Sequence, residues 1–201
     1  MSNSQEAIQT VSSLLAYFRE ELITAFEKTS VETSEETEAY LVHLLDGFSR
    51  LDPASAEEVG FDKPAAFYLG EAMNSPGEQR IEAFRRLGDA SLFNCGFFEG
   101  YISRRLVDAE YYQGIGRLSY QKLTQLMALK SSGEMFRQIF EELTDNFEGV
   151  VESFRWLGRS LQADGIDLGE DLQEKLESRA NGGAKSLQAA GISFNNSGRD
   201  L

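Results

Sequence analysis

The sequence predicts an all-α protein, a compact bundle of roughly six to eight helices around a central, glycine-containing apolar helix, with a loosely ordered C-terminal tail. Three observations predict it. Apolar residues recur at helical spacing, as in Ile8, Val11, Leu14, Leu15, Phe18, Leu22, Ile23 and Phe26. Proline occurs only three times, so helices can run long without interruption. No stretch shows sustained strand alternation bounded by hairpin turns.

The apolar spacing predicts a first helix over residues 5–28. Polar and β-branched residues at 29–34 break it, and Thr33 followed by Glu36 has the spacing of a capping box. A second helix then runs to Arg50, with Tyr40, Leu41, Leu44, Leu45 and Phe48 on its apolar side. Residues 51–63 read as a connector, and Pro64 suits the first position of a short helix, AAFYLGEAM, ending before Asn74. In SPGE at 75–78, Ser75 can cap, Pro76 suits the first helical position and Glu78 completes the box. The helix that follows carries Ile81, Phe84 and Leu87, with Gly88 and Asp89 as a kink or break.

Helical pattern resumes from Asp89 and continues to Gln113. Read as one helix, residues 89–113 are apolar over more than half their circumference, which makes this rod central. Gly96 and Gly100 share one face of it. An interior glycine costs about 1 kcal/mol of helix propensity relative to alanine, so two of them imply that a side chain would obstruct something. A neighbouring backbone or a bulky aromatic is the ordinary obstruction, and a bound ligand is the alternative. GIGRLS reads as a turn or a close contact, and a helix follows over 117–130. Ser131 and Glu134 form another capping box, opening one long helix to Leu161. Asp167 and Glu170 can cap a further short helix ending near Arg179. Residues 1–180 are thus expected to form a single bundle domain, and 181–201 a flexible or weakly docked tail rich in Gly, Asn and Ser.

Charge and composition narrow the function. Net charge is −14, from 33 acids against 19 Lys plus Arg, a surface that repels phosphate backbones and anionic lipid. The imbalance is uneven. Residues 1–60 hold 12 acids and 3 bases, a net of −9, whereas residues 80–130 hold 8 bases and 5 acids, a net of +3. Either the two parts face each other within the fold, or the central segment offers a basic face to an acidic partner. One cysteine excludes an intrachain disulfide. The opening MSNSQEAIQTVSS has no basic region followed by an apolar core, and no run is long enough for a membrane span. A cytoplasmic protein without nucleic-acid or membrane partners is expected.

Chemistry is sparse. Glu99 in FFEGY and Glu71 in FYLGEAM are carboxylates in apolar settings. Such a group, buried without a partner, takes up a proton. With Tyr101 and the only histidine, His43, they are the candidate ligand-binding residues. Sites holding two irons draw on Glu-x-x-His twice over, and zinc sites on several Cys and His, so no metal, cofactor or catalytic residue is assigned. Cys95 lies in a hydrophobic run without a charged neighbour, as an inert buried thiol would. The G-x-G of GIGRLSY follows a helix pattern and so is no dinucleotide fingerprint. Tyr111, Tyr112, Arg104, Arg105 and Arg117 are candidate interface residues, since tyrosines with arginines are enriched at protein contacts. The expected function is a non-enzymatic protein–protein interaction or regulatory module, docking on another protein or a second copy of itself. The alternative is a small-molecule- or metal-binding helical protein, an enzyme included, that uses buried carboxylates near Glu99.

Overall fold

The computed structural model describes residues 2–49, 65–97, 109–130 and 133–163, with side chains from Leu14 onward. The described residues form seven helices and no strands. They are α1 (Ser2–Thr29), α2 (Glu35–Ser49), α3 (Ala65–Asn74), α4 (Gly77–Phe97), α5 (Ala109–Met127), α6 (Glu134–Asp145) and α7 (Phe147–Ala163). The all-helical bundle expected from periodicity is the observed architecture. The expected helix at 167–179 and the tail at 181–201 lie outside the described residues.

Helix α4 is the axle. From Leu87 to Gly96 every residue is buried, so this stretch has no polar face to turn outward. Helices α3, α5 and α7 pack against it. Glycine lets two of these neighbours come close. A Cβ at Gly96 would collide with Cβ of Phe154 in α7. On α5, a Cβ at Gly116 would collide with the ring of Phe147 and stand 2.7 Å from Cβ of Ser91 in α4. Phe48, Phe93 and Phe97 stack in sequence, with ring centroids 3.9 and 4.7 Å apart, and join α2 to the same axle.

Residues 89–97 and 109–113, expected on one rod, belong to two helices packed side by side. Gly88 meets Tyr120 and Ser91 meets Gly116, so α4 and α5 run antiparallel. The period of 3.6 is unchanged by a reversal, which is why periodicity alone joined them. Gly88 and Asp89 do not break α4, because both are fixed by packing. Nor does GIGRLS form a turn, since it lies within α5.

The long helix expected to Leu161 is divided at Asn146, whose φ of −101° and ψ of 14° leave the helical basin. The hydrogen-bond ladder continues across the joint, from the Asn146 N–H to Glu142 O at 2.9 Å and from the Val150 N–H to Asn146 O at 2.9 Å. The Asn146 side chain donates to Glu32 O at 3.4 Å, in the turn between α1 and α2.

Three caps differ from expectation. Ser34, not Thr33, caps α2. Its Oγ accepts from the Thr37 N–H at 3.3 Å and donates to Glu142 at 3.0 Å. The Ser75 hydroxyl donates back to Glu71 O at 2.8 Å, closing α3, while Glu78 is drawn to Lys130 at 2.6 Å. Both halves of the expected box are thereby engaged elsewhere. At α6, Gly133 occupies the cap position without a side-chain bond, and Ser131 lies outside the described residues.

Ser30 ends α1 with a φ of 56°, a left-handed conformation disfavoured for residues with a Cβ. Ser30→Gly is expected to raise stability by about 0.5–1 kcal/mol, measured by urea denaturation. A decrease would show that the serine side chain supports the turn.

Candidate functional site

The polar centre of the bundle is Asp89. It sits one turn after Arg85 on α4, a spacing that places both side chains on one face. Arg85 Nη1 donates to Asp89 Oδ2 at 3.0 Å. Two hydroxyls converge on the other oxygen. Tyr40 of α2 donates to Oδ1 at 2.6 Å and Tyr120 of α5 donates to it at 2.9 Å. Gly88 makes the second bond geometrically accessible. A Cβ there would lie 2.6 Å from Cε1 of Tyr120, so only glycine lets that ring lie against α4. Phe140 of α6 holds both tyrosines, stacked on Tyr120 with centroids 5.8 Å apart and edge-on to Tyr40 at 5.6 Å. Three helices thus meet at one carboxylate, and a fourth packs against its tyrosines.

Electrostatics follow from this packing. Burial pushes the Asp89 carboxyl up to about 6, against the downward pull of Tyr40, Arg85 and Tyr120. Burial, reinforced by the negative charge of Asp89, raises both tyrosines well above their usual range, so they remain donors. Burial pulls Arg85 down, but its bonds to Glu82 and the charge of Asp89 outweigh this and leave it raised. Glu82 is lowered, chiefly by the hydrogen bonds from Arg85 at 2.7 and 3.0 Å. Asp89 is 7% exposed and its acceptors are occupied by three donors. The arrangement clamps helices together around the buried Asp89, while Arg85 and Glu82 reach the surface.

The residues singled out from sequence occupy different places. Glu71 is on the outward side of α3, exposed despite its apolar sequence neighbours. His43 is exposed on α2 and lines a surface groove that does not include Glu71. Tyr111 is half-buried and its hydroxyl accepts the Ala66 N–H at 3.0 Å, tying α3 to α5. Tyr112 is buried in the core. Arg117 is exposed on α5. Gly96 lies beneath Phe154, and Cys95 is buried. Glu99, Gly100, Tyr101, Arg104 and Arg105 lie outside the described residues. Among the described residues, no three His, Cys, Asp or Glu side chains come together to hold a metal ion, and no helix is long and apolar enough to cross a membrane.

Sequence reasoning missed Asp89, since its neighbours Gly88 and Ala90 resemble a break. The signal was the spacing of Glu82, Arg85 and Asp89, an ion-pair ladder on one helical face.

Large apolar side chains do reach solvent. Leu129 is 84% exposed, Met73 56%, Met135 52% and Phe136 44%. The Lys130–Glu78 ion pair joins the turn after α5 to the start of α4, so these four lie toward one end of the bundle, whereas Phe67, 63% exposed, lies at the opposite end of α3. Comparison with protein-family models, curated proteins and solved structures finds no match to this chain.

Proposed function

We propose that this protein is a non-catalytic helical docking module that engages another protein or a second copy of itself, in the cytoplasm. The observation that carries this reading is the apolar end of the bundle, where Met73, Leu129, Met135 and Phe136 are all more than two-fifths exposed. Apolar side chains gathered at one site mark contact surfaces, whereas single scattered ones are ordinary. The chemistry of the interior supports the same reading. Its buried carboxylate is occupied by tyrosine and arginine donors from the protein itself.

The apolar end predicts a specific response. Leu129→Glu, at the most exposed of these positions, places a charge on the apolar end without disturbing the core. In wild-type protein, the mass measured by light scattering is expected to rise with concentration, and Leu129→Glu to abolish the rise at unchanged melting temperature. If wild type stays monomeric, a crosslinking capture that Leu129→Glu eliminates identifies a different protein as the occupant. A monomer whose captures are indifferent to Leu129→Glu would refute this assignment.

A further inference from the structure

A second surface lies on the α1–α2 hairpin, which contributes nothing to the apolar end. A groove of about 470 Å³ lies between helices α1 and α2. Leu15 and Ala16 from α1 and Ala39 and Val42 from α2 give it an apolar lining, with Arg19, Glu35 and His43 as its polar members. Ala16 and Ala39 are exposed and small, so the two helices present a trough and not a ridge.

Glu35 lines this trough, and the α1–α2 hairpin that carries it is acidic. Glu20, Glu27, Glu32, Glu35 and Glu36 are all exposed, and their side chains make no ion pair among the described residues. Arg19 and Lys28 are the cations of described residues 14–49, against eight acids. The basic excess of the central segment does not neutralise them. Arg85 and Arg86 are committed to Glu82 and Asp89, and Lys130 to Glu78. An apolar trough between two helices accepts a third helix by ridge-into-groove packing. Uncompensated carboxylates along its edges select for opposite charge in that helix.

We infer that the α1–α2 groove binds a basic amphipathic helix of a partner protein, with its apolar side chains over Ala16 and Ala39 and its Lys or Arg residues beside Glu20, Glu35 and Glu36. This rests on the docking reading above and adds the chemistry of one partner. A second copy of this chain fits less well, because Arg85, Arg86 and Lys130 are already paired and α5, which carries Arg117 and Lys122, turns its apolar residues Tyr112, Ile115, Tyr120 and Leu123 into the core.

Three synthetic helical peptides test it by fluorescence anisotropy on the full chain. One carries leucines at i, i+3, i+4 and i+7 with lysines elsewhere, the second replaces its lysines with glutamate, and the third replaces its leucines with serine. Only the first is expected to bind. Ala39→Arg, which fills the trough and adds a positive charge at an exposed site, is expected to weaken that binding about tenfold or more without lowering the melting temperature. Ala16→Arg is the second variant, should Ala39→Arg fail to fold. Binding of the lysine–serine peptide as tightly as the lysine–leucine peptide would overturn the groove in favour of diffuse charge attraction. Binding indifferent to both variants, or no binding, would overturn it outright. A chain that still self-associates or captures a partner through Leu129 while ignoring all three peptides loses only this inference. One that does none of these loses the docking reading too.

Discussion

Gly96→Leu is expected to destabilise the protein by more than about 2 kcal/mol, measured by equilibrium denaturation. Leucine is the better helix former by propensity, so the sign of the effect reports packing alone. The obstruction is the Cβ of Phe154, an atom next to the α7 backbone that cannot swing aside as the end of a flexible side chain would. Relief requires α4 and α7 to separate along a seam that also holds Phe97 against Phe154 and the Arg155 bond to Cys95 O at 3.3 Å. Gly114, an interior glycine of α5, gives the matched control. A Cβ there meets nothing within 4 Å, so Gly114→Ala should stabilise by up to about 1 kcal/mol. A stabilised Gly96→Leu would show that the two helices do not touch there.

Asp89→Ala should cost about 3–5 kcal/mol, since removing one partner of a buried charged network leaves the others unpaired. The tyrosine hydroxyls of α2 and α5 would lose their common acceptor inside the core, and Arg85 would keep only Glu82. Asp89→Asn preserves shape and an acceptor, so it should cost less and expose the pH behaviour. The Asp89 carboxyl stands at about 6 in the fold and about 4 in an unfolded chain. Between those values the native state binds more protons than the unfolded state. The contribution of this group to stability therefore falls as pH rises through that window. Subtracting the Asp89→Asn denaturation curve cancels the other titrating groups, including Glu82, whose lowered carboxyl works in the opposite direction. The wild-type advantage should be larger at pH 4.5 than at pH 7.5. The reverse slope would mean that the three donors outweigh burial.

Helical class was legible because burial in a bundle imposes a repeat on the chain itself. Leu41, Leu44 and Leu45 are buried as their spacing on α2 requires. Direction and joints were less legible. Nothing in the apolar period distinguishes one rod from two antiparallel ones, and Asn146 divides α6 from α7 through a side-chain bond to a carbonyl 114 residues away. The polar centre escaped for a related reason. A carboxylate surrounded by apolar letters, like Glu71, can face water from a short helix, while Asp89, between glycine and alanine, is enclosed by residues from other helices. Burial is decided by neighbours in space.

Helix α1 is secured by α7, the last of the described helices. Thr29 bonds to Ser153 at 2.7 Å, 124 residues along the chain, and Glu21 accepts from Ser160 at 3.3 Å across 139 residues. On the ribosome, α1 emerges early with Phe18, Leu22 and Phe26 ready to bury and only α2 within reach. Its seat on α7 does not exist until the chain has been made through Ser160, 139 residues beyond Glu21. Nascent chains therefore carry an unfinished apolar helix until α7 is made, and termination before α7 would leave it stranded.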